Sequence, residues 1–140
     1  MKTIAHIGSA AALLALAGCA AMSPTSTSTP QPCTPGADAI CVVKVTVKDC
    51  DHITAHPDRA MVTLGNRGDI EWQLDAPAGW DFARDGIKFK DASNPQFGNP
   101  RPAKKSFKWK FDNSRKEEHR YTINVTDGYK ACSHDPSIMN

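Results

Sequence analysis

Cys41-Val42-Val43-Lys44-Val45-Thr46-Val47-Lys48 puts Val43, Val45 and Val47 on one face and Lys44, Thr46 and Lys48 on the other. A period of two is the signature of a strand with one buried face. The same alternation returns further along. Ala60-Met61-Val62-Thr63-Leu64 is a second candidate strand, closed by turn chemistry at Gly65-Asn66-Arg67-Gly68. Asp69-Ile70-Glu71-Trp72-Gln73-Leu74 turns Ile70, Trp72 and Leu74 inward. Ile87 and Phe89 mark a short strand between Lys88 and Lys90. Ser106-Phe107-Lys108-Trp109-Lys110-Phe111 carries three aromatics on one face and lysines on the other. His119-Arg120-Tyr121-Thr122-Ile123-Asn124-Val125-Thr126 buries Tyr121, Ile123 and Val125, and Asp127-Gly128 turns the chain toward Cys132. No long window has a helical apolar period, and Asp75 to Gly86 has room for one short helical turn at most. Each sheet face of this kind must be covered, so the expectation is an all-β, antiparallel two-sheet sandwich.

The chain has 140 residues, 40% hydrophobic and 23% charged, with a net charge of +2. That is ordinary composition for one folded domain, and it gives no reason to expect a nucleic-acid partner.

The first residues read as an address. Met1-Lys2 is basic, and Ile4 to Ala17 is small and apolar but too short for a spanning helix, as in a secretory signal. Leu16-Ala17-Gly18-Cys19 resembles the bacterial lipobox. The resemblance implies a signal peptide over 1–18, cleavage before Cys19, a diacylglyceryl group on its thiol and an acyl chain such as palmitate on its amine. More than one chain makes anchoring stable, because each buried methylene contributes about 0.8 kcal/mol. Ala20, where an Asp would favour the inner membrane, implies by the same resemblance the outer membrane of a Gram-negative envelope. Residues 19–40 are read as the lipidated Cys and a Ser/Thr/Pro-rich tether, with Met22 to Pro32 too polar to repay its ordering entropy. The folded domain is expected over 41–140.

Gly68-Asp69-Ile70-Glu71-Trp72, Tyr121-Thr122-Ile123-Asn124-Val125 and Cys132-Ser133-His134 with Met139 together resemble a cupredoxin-type β-sandwich over about residues 41–140. The resemblance implies a Greek-key sandwich. In copper-binding members a Cys, two His and a weak axial Met suit copper in electron transfer. Here no histidine follows Trp72 before Phe82, and only one residue separates Cys132 from His134. The ending Asp135-Pro136-Ser137-Ile138-Met139-Asn140 resembles cupredoxin-like domains that have lost copper, with Ile138 as the last core residue. No cofactor is therefore expected. The alternative is copper held by Cys132, His134 and Met139; if Cys50 is instead bonded to Cys132, that bond would bring His52 near His134 as a weak copper or zinc site without a thiolate. His119 shares the inward parity of its strand but is expected at the solvent end.

Export leads to an oxidising compartment, where Cys33, Cys41, Cys50 and Cys132 can pair. Cys41 and Cys50 flank a strand about 30 Å long and cannot bond to each other. The preferred pairing is Cys33–Cys41 with Cys50–Cys132, and the other is Cys33–Cys50 with Cys41–Cys132. His52 and His56 stand at i, i+4, but Pro57 and the strand-rich context make their segment a loop. No Gly-x-Ser-x-Gly or other catalytic constellation is present, so no catalytic residue is assigned. Residues 84 to 116 hold ten Lys/Arg against three Asp. Lys88, Lys90, Lys108 and Lys110 can form a basic ladder on one outer face, which either blocks edge aggregation or meets an anionic envelope component. The expected function is a membrane-anchored, non-enzymatic binding or interaction module of the envelope. Its partners would be the membrane, through Cys19, and an envelope component or envelope protein. The alternative function is a copper-handling or electron-transfer cupredoxin.

Overall fold

The computed structural model describes residues 28–140; the expected signal peptide and residues 19–27 of the expected tether lie outside these residues. The described chain forms eleven strands: β1 (Gln31–Pro32), β2 (Cys41–Asp49), β3 (His52–His56), β4 (Arg59–Met61), β5 (Gly68–Asp75), β6 (Asp81–Phe89), β7 (Phe97–Pro102), β8 (Ser106–Phe111), β9 (Glu118–Thr126), β10 (Ala131–His134) and β11 (Ser137–Met139). One sheet runs β1-β4-β11-β9-β10, with β6 also paired to β9. The other runs β3-β2-β5-β8-β7. β10 and β11 share one edge of β9 in succession, and β6 takes the opposite edge.

The alternating residues meet between the sheets. Val43, Val45, Ile70 and Trp72 face Tyr121, Ile123, Val125 and Ile138, all fully buried. Trp72 meets Tyr121 edge-on at 5.3 Å, and Phe82 meets Phe107 edge-on at 6.2 Å, so the two apolar faces interlock as a sandwich. Two disulfides close, Cys33–Cys41 and Cys50–Cys132. The second ties the β2–β3 turn of one sheet to β10 of the other.

The sheets are mixed, not antiparallel as expected. β2 pairs β5 in parallel, and β4 pairs both β1 and β11 in parallel. Parallel neighbours need a crossover. Here β3 returns beside β2, β4 is laid in the opposite sheet, and the chain comes back as β5. Alternation gives the inward face of a strand but carries no direction for its partner.

Three segments differ from expectation. The fold begins before residue 41: β1 pairs β4, the Cys33 amide donates to the Met61 carbonyl, and Thr34 bridges to Val42. The expected tether over 19–40 is thus folded from about Gln31. His52–His56 is a strand, not a loop, with Ile53 and Ala55 inward and both histidines exposed. The stretch Asp75 to Gly86 feeds a nine-residue β6 instead of a helical turn.

Candidate functional site

The terminal loop offers no thiolate, since Cys132 Sγ is bonded to Cys50. His134 Nε2 lies 2.9 Å from Asp58 Oδ1, and Met139 sits in β11 opposite Met61. His52 Nδ1 is 2.7 Å from Asp49 Oδ1. Cys132, His134 and His52 thus each have another partner in this structure. Among the described residues no three His, Cys, Asp or Glu side chains come together as a metal group.

The lysine ladder is divided. Lys88 lies in β6 with Lys90 directly after it, and Lys108 and Lys110 lie in β8 of the other sheet, so the four do not share one outer face. Two of the four are paired: Lys108 with Glu71 at 3.4 Å and Lys90 with Asp135 at 3.0 Å. Burial pulls the Asp135 carboxyl upward, but the Thr122 hydroxyl and Lys90 together hold it below the usual range. On the β5–β8 ladder Asp69 stands opposite Lys110 and Glu71 opposite Lys108, and Arg101 of β7 pairs with Asp69. Cross-strand acids neutralise this face. Counting basic residues along the sequence could not reveal these partners.

His119 is buried, not at the solvent end; its side chain is 2% exposed. It stands edge-on to Phe97 at 4.9 Å and to Phe111 at 5.5 Å. Asn94 Nδ2 lies 3.1 Å from its Nδ1, and Gln96 Nε2 lies 3.4 Å from its Nε2. The Gln96 side chain is fixed from both ends, its Oε1 accepting from the Arg115 amide and its Nε2 donating to Glu117. Burial pushes the His119 imidazole below its ordinary pKa; Glu117 and Asp91 draw it back in part, and Arg115 adds to the fall. Gln96 and Asn113, both buried, are members of this polar end that the sequence did not single out. Asn113, at φ 49°, donates to the carbonyls of Thr63 and Asn66, and nothing in its sequence context marks that role.

The concave site lies on the flank where β6, the edge of one sheet, meets β7 and β8 of the other. Its volume is about 310 Å³. Ile87, Phe89 and Phe107 form a buried floor, and Trp109, Phe97 and Pro100 form half-buried or exposed walls. The aromatics are fixed by one another. Phe97 stacks on Phe89 at 3.7 Å and on Phe111 at 4.5 Å, and Trp109 stands edge-on to Phe89 at 5.4 Å. Trp109 Nε1 donates to the Ile87 carbonyl at 3.2 Å, bridging the two sheets.

Both strands at the groove are bulged. β6 pairs Phe82 with Val125 and Ile87 with Ile123, so residues 83–86 have no matching length on β9. They loop outward and expose Arg84 and Asp85 at the rim. Gly86 makes this turn inward possible: a Cβ there would stand 2.8 Å from the Phe82 Cβ and 3.1 Å from the Phe107 ring. β7 shifts register between Gly98 and Arg101, with Asn99 at φ 52°. Bulges re-aim side chains and concentrate at sheet edges beside sites. The rim carries both signs: Arg84 and Lys88 against Asp85 and Asp91. Asp91 is held below the usual carboxylate range by the Ser93 hydroxyl and amide, which cap its turn. Among the described residues Arg84, Asp85 and Lys88 form no ion pair. Sequence alternation placed Phe89, Phe107 and Trp109 inward but could not tell that β6 and β7 are edges, so the groove was missed.

No family model and no curated protein matches this chain.

Proposed function

We propose that the chain is a lipid-anchored envelope protein that works as a non-enzymatic binding module, with the β6–β7 groove as its ligand seat. The carrying observation is the aromatic groove at the edge of the sandwich, lined by residues of two bulged strands, β6 and β7, and of β8. A volume near the lower end of the range for ligand pockets, with apolar walls and a few polar groups at the rim, is the ordinary make-up of a binding site. Support for the anchor is the Leu16-Ala17-Gly18-Cys19 sequence, and for delivery to the outer membrane the Ala20 that follows. A cupredoxin-like Greek-key arrangement is the reading favoured for the sandwich by Gly68-Asp69-Ile70-Glu71-Trp72 and Tyr121-Thr122-Ile123-Asn124-Val125.

Two measurements test this reading. Cys19→Ser should leave the chain unprocessed or release it from the membrane fraction, and a variant that is cleaved as before and still held by washed membranes would defeat the anchor. The fluorescent probe 1-anilinonaphthalene-8-sulfonate, which has fused rings and one sulfonate, should bind the folded protein saturably at one site. Trp109→Ala should remove that signal while the near-ultraviolet spectrum of the core persists. Probe binding indifferent to Trp109 would place the ligand seat elsewhere.

A further inference from the structure

We infer that the groove takes one pyranose ring of a neutral glycan strand, laid against Trp109 beside the edge of Phe97, with its hydroxyl edge toward Arg84, Asp85 and Lys88. This rests on the reading of the groove as the ligand seat. The floor and walls are aromatic and aliphatic, and aromatic faces carry the negative side of a quadrupole. The face of a pyranose presents polarised C–H bonds that suit such a surface. Its edge presents hydroxyls, each both donor and acceptor. The rim answers that edge with donors from Arg84 and Lys88 and acceptors from the Asp85 carboxylate. An anionic lipid surface would leave Asp85 and Asp91 facing like charge, and a basic peptide would leave Arg84 and Lys88 in the same position. Two charges of each sign around an apolar floor fit a ligand that is neutral overall and amphipathic within one ring. The groove also lies on the flank opposite the one where the described chain enters the fold. The chain joins the fold at β1, where Ser28 donates to Asp58, and β1 and β6 lie at opposite ends of one sheet. An extended polymer outside the membrane can reach that flank.

The rigidity of the walls adds to the inference. Trp109 is held by the Ile87 carbonyl, and Phe97 is stacked between Phe89 and Phe111. Neither ring has to be ordered when the ligand arrives, so weak contacts with a single sugar ring are not spent on immobilising side chains.

The test uses the full mature chain carrying Cys19→Ser, with the indole N–H signals read by NMR. The tetramer of N-acetylglucosamine is the probe, because it is uncharged and pyranose-built. It should shift the Trp109 indole signal saturably and leave the buried Trp72 signal in place. Trp109→Ala should weaken binding by about tenfold or more, and Asp85→Ala and Lys88→Ala, at exposed positions, by about threefold each. Raising salt from about 50 to about 500 mM should change the affinity by less than about twofold, since no net charge is neutralised. If the sulfonated naphthalene moves the Trp109 signal and the tetrasaccharide does not, the groove is the ligand seat and the glycan assignment is wrong. If neither moves it, both readings fall. If phosphatidylglycerol vesicles move it in a salt-sensitive way and the sugar does not, the ligand is an anionic lipid and the inference is overturned.

Discussion

His119 sits where an amphipathic strand enters the core, and its ring is closed in by Phe97 and Phe111. Both ring nitrogens face amide groups of Asn94 and Gln96, which are donors as placed; a neutral imidazole can accept from one of them, whereas a cationic one accepts from neither and opposes N–H to N–H on both sides. The charged form is thus disfavoured twice, by lost hydration and by the wrong partners. Because the folded state holds this proton less tightly than the unfolded chain, the stabilising contribution of neutral His119 is fully present above about pH 6.5. It is lost as pH falls from there through the lower folded value. Urea midpoints should therefore decline from about pH 6.5 toward pH 5, before ordinary carboxylates titrate. His119→Gln should flatten that decline; an unchanged slope in the variant would remove His119 from the account. At this scale the sequence was informative about parity and silent about depth. Position 119 has the inward phase of Tyr121, Ile123 and Val125, but its neighbours Glu117, Glu118 and Arg120 suggest solvent. The aromatics that cover it come from β7 and β8, remote in sequence.

β7 shows why some elements escape a reading by alternation. Phe97-Gly98-Asn99-Pro100-Arg101-Pro102 carries turn residues throughout, yet it is the outer strand of its sheet. Prolines suit an edge because the missing N–H has no neighbour to serve. β6 is likewise an edge, and its exposed backbone is partly covered: the Phe82 amide donates to the Lys104 carbonyl and the Ile87 carbonyl accepts from Trp109. The core strands β2, β5, β8 and β9 were legible because each keeps one face wholly apolar over five or more residues. The edges were not, since bulges and prolines interrupt the period where the groove is built. The disulfides act at the same level. Cys33–Cys41 closes a sequence separation of 8 and Cys50–Cys132 one of 82. In the chain-entropy account these amount to about 2.5 and about 4.5 kcal/mol. Replacing Cys50 and Cys132 together by Ala should thus cost more stability in urea unfolding than replacing Cys33 and Cys41. Equal losses, or the reverse order, would show that local packing around Cys41, which is fully buried, outweighs the entropy of the long loop.

Across the described residues, β1, where the chain enters the fold, and the groove are separated by the width of a sheet. From β1 through β4, β11 and β9 to β6 there are four strand spacings, about 19 Å. The folded part begins at about Gln31, so the segment between Cys19 and the domain is shorter than the sequence alone suggested. Residues 20–27 read Ala-Ala-Met-Ser-Pro-Thr-Ser-Thr, and eight residues span at most about 28 Å when extended. That span would let the domain turn its β6–β7 flank away from the bilayer toward a polymer beyond it. Deleting residues 20–27 while keeping Cys19 should therefore separate two properties. Binding of the soluble N-acetylglucosamine tetramer should stay within about twofold, because no groove residue has changed. Capture of insoluble peptidoglycan by the protein in membrane vesicles should fall severalfold, because a tethered site acts at an effective concentration set by the reach of its linker. Capture that survives the deletion intact would mean that reach does not limit contact. Loss of tetramer binding as well would mean that the segment contributes to the groove, contrary to its attachment on the opposite flank.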